Sequence, residues 1–152
     1  MTVQNWFGCV IPDDLLYDLE RDVWVRRLES GEVECGMTDV AQTRCGRLVS
    51  ISWKHPGKRV KQGRPMAVIE SAKWVGPFPA PVSGEITAVN EAAFAADVAV
   101  ANRDPYGAGW LVRLRPNDLE DEGAHLVDGA AAFAHYKALI EKEEIRCFRC
   151  SD

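Results

Sequence analysis

Two places in the sequence combine reactive side chains with a spacing that could support chemistry. The first is Glu70-Ser-Ala-Lys-Trp74, which follows the apolar run 65–69 and precedes the proline-rich segment 77–81. Because proline cannot donate to a strand ladder, the pattern predicts Lys73 at the tip of a hairpin, exposed and supported by strands on both sides. An accessible amine on a rigid turn suits the enzymatic attachment of a prosthetic arm. A lone lysine, however, is by composition most often a solvated surface charge.

The second place is Cys147-Phe-Arg-Cys150, whose spacing is typical of redox or metal sites. A zinc site would need further ligands, and the three histidines form no second pair at metal spacing. We therefore expect two thiols in a short, loose tail and no metal. An odd number of cysteines, spread along a chain with no export signal, also argues against a disulfide framework.

Composition limits the classes of function. A chain of 152 residues with 47% apolar and 27% charged residues is long enough for one globular domain. The net charge of −5 argues against nucleic acid as a partner, and no segment is apolar enough for a membrane span. The start, 1–6, lacks the features of a secretory signal, so we expect a cytoplasmic protein. A basic run at 54–64 is interpreted as a solvated hairpin, with a docking patch as the alternative.

The periodicity predicts a mainly β fold. Short strands broken by glycine are expected at 24–28, 32–35, 47–53, 84–89 and 109–114, with a short segment around Val60. The run 65–69 suits a strand with both faces covered. Helices are predicted at 38–44, capped by Thr38, and from 128 or 129 to about 144. The expected organisation is an N-terminal extension (1–20) packed on the domain, a main domain (21–144) and a cysteine-containing tail (145–152).

Several motifs carry a resemblance to a known family. They are Gly36-Met-Thr-Asp-Val-Ala-Gln42, Glu70-Ser-Ala-Lys73, Ala80-Pro-Val-Ser-Gly-Glu-Ile86 and Asn102-Arg-Asp-Pro-Tyr-Gly-Ala-Gly-Trp-Leu111. With them the sequence resembles the glycine-cleavage H-protein family, in register from residue 24 to about 140. The resemblance implies a flattened barrel or sandwich hybrid of two short-stranded sheets, with lipoate amide-linked to Lys73 and no catalysis by the chain itself. Biotin carriers place Met on both sides of the modified lysine, so Ala72 and Trp74 favour lipoate.

The same resemblance assigns roles around the lysine. Glu70, Ser71, Ala72 and Trp74 would form the turn that a lipoate-protein ligase recognises, with a purely structural role as the alternative for Glu70. The lipoyl group would shuttle intermediates and electrons between partner enzymes, because the cofactor carries the thiol–disulfide chemistry. Possible redox residues are Cys9, Cys45, Cys147 and Cys150. For Cys9 and Cys45, plain packing is the interpretation we favour over exchange with the arm.

Several departures from the family pattern bear on the pathway. Asp22 stands where the family usually has His, and Cys45 and Trp74 replace an aliphatic and a small residue. The start Ile11-Pro-Asp-Asp-Leu-Leu-Tyr-Asp18 is similar to the H-like lipoate-binding proteins of bacterial sulfur oxidation, which work beside a heterodisulfide-reductase-like complex. We therefore expect an arm that carries sulfur.

The alternative pathway is an H protein of glycine cleavage, with glycine decarboxylase and aminomethyltransferase as partners. Dihydrolipoamide dehydrogenase would be a further partner. A lipoyl relay and an interaction module that is never lipoylated are further alternatives, and the intact motif at Lys73 argues against the second.

Overall fold

Short strands dominate the fold. The computed structural model describes residues 3–149, and within that range the chain forms eleven strands and five helices. The strands are β1 (Val3–Trp6), β2 (Cys9–Pro12), β3 (Leu16–Asp18), β4 (Val23–Arg27), β5 (Val33–Met37), β6 (Leu48–Trp53), β7 (Arg59–Val60), β8 (Pro65–Ser71), β9 (Val75–Pro79), β10 (Gly84–Val89) and β11 (Val112–Pro116). The helices are α1 (Asp39–Cys45), α2 (Glu91–Ala96), α3 (Val100–Arg103), α4 (Leu119–Glu122) and α5 (Gly129–Glu143). The prediction of a mainly β fold with peripheral helices and a C-terminal helix is confirmed.

The strands pair in antiparallel sheets. Within residues 3–149 there are three sheets: six strands in the order β3-β4-β5-β11-β10-β7, three in the order β6-β8-β9, and the hairpin β1-β2. None of these sheets closes into a barrel. The two larger ones share one hydrophobic core, to which Val25 and Leu114 contribute from the first and Leu48, Ile69 and Phe78 from the second. The result is a sandwich-like hybrid of short strands.

The three-stranded sheet has one face in the core and one in solvent. In β8, Met66 and Ile69 are buried, whereas Val68 and Glu70 are exposed. The expectation that both faces of this run are covered is therefore wrong, because no element packs over its outer face in the described part of the chain. β8 pairs with β6 on one side and β9 on the other, so the β8–β9 connection is supported from both strands.

The two helices predicted from local sequence are confirmed. The Thr38 hydroxyl accepts from the backbone N–H of Ala41 at 3.1 Å and caps α1, which ends before Gly46. In α5 the carboxylate of Asp128 accepts from the N–H of Ala131 at 2.9 Å in the same way. The N-terminal caps are encoded next to the helices that they begin, which is why they could be recognised in the sequence.

A second core cluster joins the two ends of the chain. Ile11 from β2 packs there with Tyr136 and Ile140 from α5. Within this cluster Cys9 and Cys147 form a disulfide with a Cα–Cα distance of 4.7 Å, across a sequence separation of 138. The expectation that the cysteines form no disulfide is therefore wrong. These two residues come together because β2 and the segment after α5 pack on the same core cluster. No local sequence pattern indicates this contact.

The prediction of a loose tail is also wrong for residues 145–149. Cys147 is buried and its N–H donates to the carbonyl of Phe7 at 3.1 Å. The carbonyl of Phe148 accepts from the Gln42 side chain, and Arg149 pairs with Asp39. Cys150, the other half of the predicted thiol pair, lies outside the described residues.

Candidate functional site

Lys73 lies in the tight turn between β8 and β9. Glu70 and Val75 are paired across the hairpin, and the N–H of Ser71 donates to the carbonyl of Trp74 at 2.7 Å to close the turn. Ala72, Lys73 and Trp74 are exposed, whereas Ser71 is buried. The structure therefore places the lysine at a hairpin tip, where the sequence pattern predicted it.

The base of this turn is fixed to the end of α1 and to Arg47, the residue before β6. The Ser71 hydroxyl donates to the carbonyl oxygen of Cys45 at 2.7 Å. The N–H of Ala72 donates to the carbonyl of Arg47 at 3.3 Å, and the N–H of Lys73 to the Ser71 oxygen at 3.3 Å. Three hydrogen bonds thus orient the backbone around the lysine while its side chain stays at the surface.

Gly46 lets the lysine side chain pass close to the backbone. It has a φ of 87°, which favours glycine, and a Cβ built on it would lie 3.0 Å from Cε of Lys73. A side chain at this position would therefore strain the backbone and press on the Lys73 side chain.

Asn102 is a buried polar residue that sequence reasoning did not single out. Its Oδ1 accepts from the N–H of Leu48 at 2.9 Å, and its Nδ2 donates to the carbonyl of Gly46 at 3.0 Å and to Oε1 of Gln42 at 3.1 Å. Asn102 thus joins α1, the residue after it and β6 immediately beneath the turn. The only signal in the sequence was its place at the head of the motif 102–111.

A cavity of about 520 Å³ opens beside the turn. Its wall is formed in part by Ile69, Phe78 and the ring of Trp74, and charged side chains lie at other points of the lining, among them Asp22 and Arg44. The Trp74 ring packs over Gly76, where a built Cβ would come within 2.1 Å of it. A mostly apolar cavity next to an exposed amine can receive the far end of a flexible group attached to that amine.

Asp22 lies in the cavity lining, and the pKa of its carboxyl group is shifted. Burial raises the pKa of this carboxyl above its usual range, and the hydrogen bond from Tyr136 Oη, at 2.8 Å, and the charge of Arg44 oppose the rise. Its φ of 56° also places a non-glycine residue in the left-handed region. The sequence identified the residue only as a departure from the family pattern.

The candidate redox cysteines fall into two groups. Cys45 lines the cavity, and burial raises the pKa of its thiol, although the Ser71 hydrogen bond and the charge of Lys73 oppose the shift. Burial therefore favours the neutral thiol, a poor nucleophile. Cys9 and Cys147 are bonded to each other in the second core cluster and are not among the residues that line the cavity.

Glu70 has a structural partner on the exposed face of the sheet. Its Oε1 accepts a hydrogen bond from the Ser50 hydroxyl at 3.0 Å across the β6–β8 pair. This contact fits the structural alternative, and recognition by a ligase stays a prediction.

Among residues 3–149, no three His, Cys, Asp or Glu side chains come together as metal ligands. In the same range no helix has the length and apolar character that crossing a membrane requires.

Comparisons with known proteins identify one family. The family model for the glycine cleavage H-protein matches residues 15–139. Glycine cleavage system H protein 2 of Aquifex aeolicus is 45% identical over 145 residues, 95% of this chain and 89% of that protein. Glycine cleavage system H protein 3 of the same organism is 45% identical over 152 residues, 98% of this chain and 94% of that protein. The crystal structure of a glycine cleavage system H protein from Mycobacterium marinum superposes with a TM-score of 0.72 at 31% identity, covering 83% of this chain and 98% of that one.

The fold and these matches define the class of protein as a carrier of a covalently attached cofactor. The chain belongs to the glycine cleavage H-protein family. Proteins of this family carry lipoate in covalent linkage to a lysine and have no catalytic activity of their own. The predicted family, cofactor and class of carrier are therefore confirmed.

Proposed function

We propose that Lys73 is the residue that carries lipoate. The observation that supports this assignment is the anchored turn: an exposed lysine whose backbone is held from below by the Ser71–Cys45 and Ala72–Arg47 hydrogen bonds. The side chain forms no ion pair with a carboxylate of residues 3–149, so its amine is free for acylation. These hydrogen bonds hold the turn in one conformation, which a ligase that recognises the shape of the turn can bind.

The residues around Lys73 fit a lipoyl arm. The Gly46 backbone lets the lysine stem lie close to α1, and the cavity beside Trp74 offers an apolar wall to the end of a flexible arm. When bound, lipoate supplies a disulfide that can be reduced and can carry a unit on sulfur. The chain holds the attachment point in place, and tethering raises the effective concentration of the arm at each partner's active site.

For the pathway, we propose sulfur oxidation in the cytoplasm beside a heterodisulfide-reductase-like complex. The N-terminal segment and the cavity support this proposal, since Asp22 and Cys45, two departures from the usual family pattern, both lie in the cavity lining. Two relatives of this chain occur in one organism, which allows family members to differ in cargo. The names of those relatives favour the alternative, in which the arm serves glycine decarboxylase and aminomethyltransferase. A lipoate-protein ligase and dihydrolipoamide dehydrogenase are the partners proposed for both pathways.

Mass spectrometry tests the attachment site. The chain is incubated with lipoate, ATP and a lipoate-protein ligase, and intact and peptide masses are measured. We expect one lipoyl group, on the peptide that contains Lys73, and none on Lys73→Ala. Lys54→Ala is the matched control, since Lys54 is also exposed but lies outside the turn, and it should be modified like the parent chain. Modification of another lysine, or none under conditions that lipoylate a reference H protein, would contradict the assignment.

A second experiment separates the two cargoes. The lipoylated chain in its reduced dithiol form is exposed to a sulfane-sulfur donor with the heterodisulfide-reductase-like complex and an electron acceptor. In its oxidised disulfide form it is exposed to glycine with glycine decarboxylase, because an aminomethyl unit can bond to one sulfur only as the S–S bond breaks. Sulfite formation that requires the lipoylated chain supports sulfur oxidation. Loading with an aminomethyl group at the rate of a reference H protein, and no sulfite, would favour the alternative.

A further inference from the structure

The segment after α5 (145–149) is attached to the N-terminal hairpin β1-β2 by a disulfide and a backbone hydrogen bond. Cys147 is bonded to Cys9, and its N–H donates to the carbonyl of Phe7 at 3.1 Å. Gly8 allows this close approach, because a Cβ built there would lie 2.5 Å from the carbonyl oxygen of Cys147. Covalent and backbone contacts therefore hold residues 147–149 in one place over α1.

Both the N-terminal hairpin and the segment after α5 bind Asp39 of α1, and the segment after α5 also binds Gln42. The carboxylate of Asp39, which is fully buried, accepts from the N–H of Val10 at 2.8 Å and from Arg149 Nε and Nη2 at 3.0 and 3.1 Å. The side-chain amide of Gln42, also buried, donates to the carbonyl of Phe148 at 2.8 Å and to Asp39 at 2.8 Å. Arg149 and Phe148 follow Cys147 directly in sequence, and Val10 follows Cys9.

From α1 the hydrogen bonds continue to the Lys73 turn. Oε1 of Gln42 accepts from Asn102, which also binds the carbonyl of Gly46 and the N–H of Leu48. The last residue of α1, Cys45, accepts the Ser71 hydroxyl at the base of the turn. An unbroken path of short contacts thus runs from the disulfide through α1 to the turn. Such a network can transmit a local loss of order to a distant site.

We propose that the Cys9–Cys147 disulfide is a redox switch that controls the order of α1 and of the Lys73 turn. The bonded form holds the tail against Asp39 and Gln42. Reduction frees the tail, weakens its contacts with these two residues, and loosens the residues that position the turn. The inference concerns the chain itself and does not depend on which cargo the arm carries.

The reductant that fits is a small dithiol, the class to which reduced lipoamide belongs. One of its thiolates attacks the sulfur of Cys147, because Cys147 is 7% exposed and Cys9 is fully buried. The Cys9 sulfur leaves and takes up a proton. The second thiol of the reductant then displaces Cys147, which also leaves as a thiol. The dithiol loses two electrons and two protons to the cysteine pair and becomes a cyclic disulfide.

Hydrogen exchange on the full, unlipoylated chain tests the switch. Peptide mapping without reductant first establishes the Cys9–Cys147 link. Amide exchange is then measured before and after treatment with dithiothreitol. We expect exchange at residues 39–48 and 71–74 to rise about tenfold on reduction, the effect of losing roughly one ordinary hydrogen bond. Amides inside β10 serve as an internal reference and should not change.

Two variants make the test independent of the reductant. Cys9→Ser with Cys147→Ser should exchange fast at residues 39–48 and 71–74 without dithiothreitol and should not respond to it. Arg149→Gln keeps the disulfide but removes the guanidinium from Asp39, so it should raise exchange at 39–48 while the link is intact. The absence of a Cys9–Cys147 link, or a rise confined to residues 3–12 and 145–149, would overturn the proposal. No lipoate is present, so either result leaves the assignment of Lys73 untouched.

Discussion

The Ser71 hydroxyl donates to the carbonyl oxygen of Cys45 at 2.7 Å, in a position where both residues are buried. This bond connects the base of the hairpin that presents Lys73 to the last residue of α1. An exposed lysine on an otherwise unsupported turn would sample many orientations. Here the buried hydrogen bond fixes the orientation of the turn relative to the core. A modifying enzyme that recognises the shape of the turn requires such a fixed orientation.

Replacing Ser71 with Ala should loosen this support. The carbonyl of Cys45 would lose its donor in a buried place, so we expect the free energy of unfolding to fall by about 1–2 kcal/mol. Urea denaturation measures the loss, and the rate of enzymatic lipoylation should fall with it. Ser50→Ala is the control: its hydroxyl binds Glu70 on the exposed face, and its removal should change stability by less than about 0.5 kcal/mol. Equal losses for both variants would contradict the anchoring role.

Gly46→Ala should affect both the backbone and Lys73. The φ of 87° is unfavourable for alanine, and the new methyl group would lie 3.0 Å from Cε of the lysine. We expect a loss of about 1–3 kcal/mol in stability, measured by denaturation, and slower lipoylation, measured by mass spectrometry. Gly31→Ala is a matched control, with a φ of 89° and no atom within 4 Å of the new methyl. It should lose stability yet be lipoylated normally, and slowed lipoylation there would show that backbone strain alone is responsible.

What could be predicted from the sequence was encoded locally. The hairpin at Lys73 follows from an apolar run and a proline-rich segment a few residues apart, and α1 follows from a cap, Thr38, next to the helix. The family motifs added the cofactor, because a lysine by itself does not identify one.

What could not be predicted depends on contacts between distant segments. Cys9 and Cys147 are 138 residues apart, and the packing of both chain ends on α5 and α1, not any spacing, brings them together. The Ser71–Cys45 bond uses a backbone carbonyl, and a backbone group leaves no trace in residue identity. The role of Asn102 depends on three partners from three segments. Such relationships require the tertiary structure.

Asp22 predicts a distinct dependence of stability on pH. Its folded-state pKa lies above the usual carboxyl value, so the folded chain binds more protons than the unfolded chain between those two values. Stability should therefore fall as pH rises through that window, and the penalty should persist at neutral pH. Asp22→Asn keeps an acceptor for Tyr136, removes the charge, and should be at least as stable as the parent chain at pH 7. Denaturation midpoints across acidic to neutral pH measure the difference.

Asp97 provides the control of opposite sign. The hydrogen bond from Arg103 Nε, at 2.7 Å, holds the pKa of this partly exposed carboxyl below its usual value. Its contribution is present above the ordinary carboxyl pKa and is lost as pH falls through the lowered folded-state value. Asp97→Asn should therefore lower stability at neutral pH. If Asp22→Asn also lowered stability there, the burial of Asp22 would not be the dominant influence on its acidity.

The disulfide should contribute to global stability as well as to local order. It closes a loop of 138 residues, and a cross-link of that span restricts the unfolded chain far more than the folded one. Removing it should lower the free energy of unfolding by about 2–5 kcal/mol. The measurement is urea denaturation of the parent chain with and without dithiothreitol, beside Cys9→Ser with Cys147→Ser. The remaining described cysteines, Cys35 and Cys45, are free and buried, so the double variant should unfold at one midpoint regardless of reductant. A parent chain that also unfolds at the same midpoint in both conditions would show that the two ends are held by packing alone, since only a formed disulfide makes stability depend on the reductant.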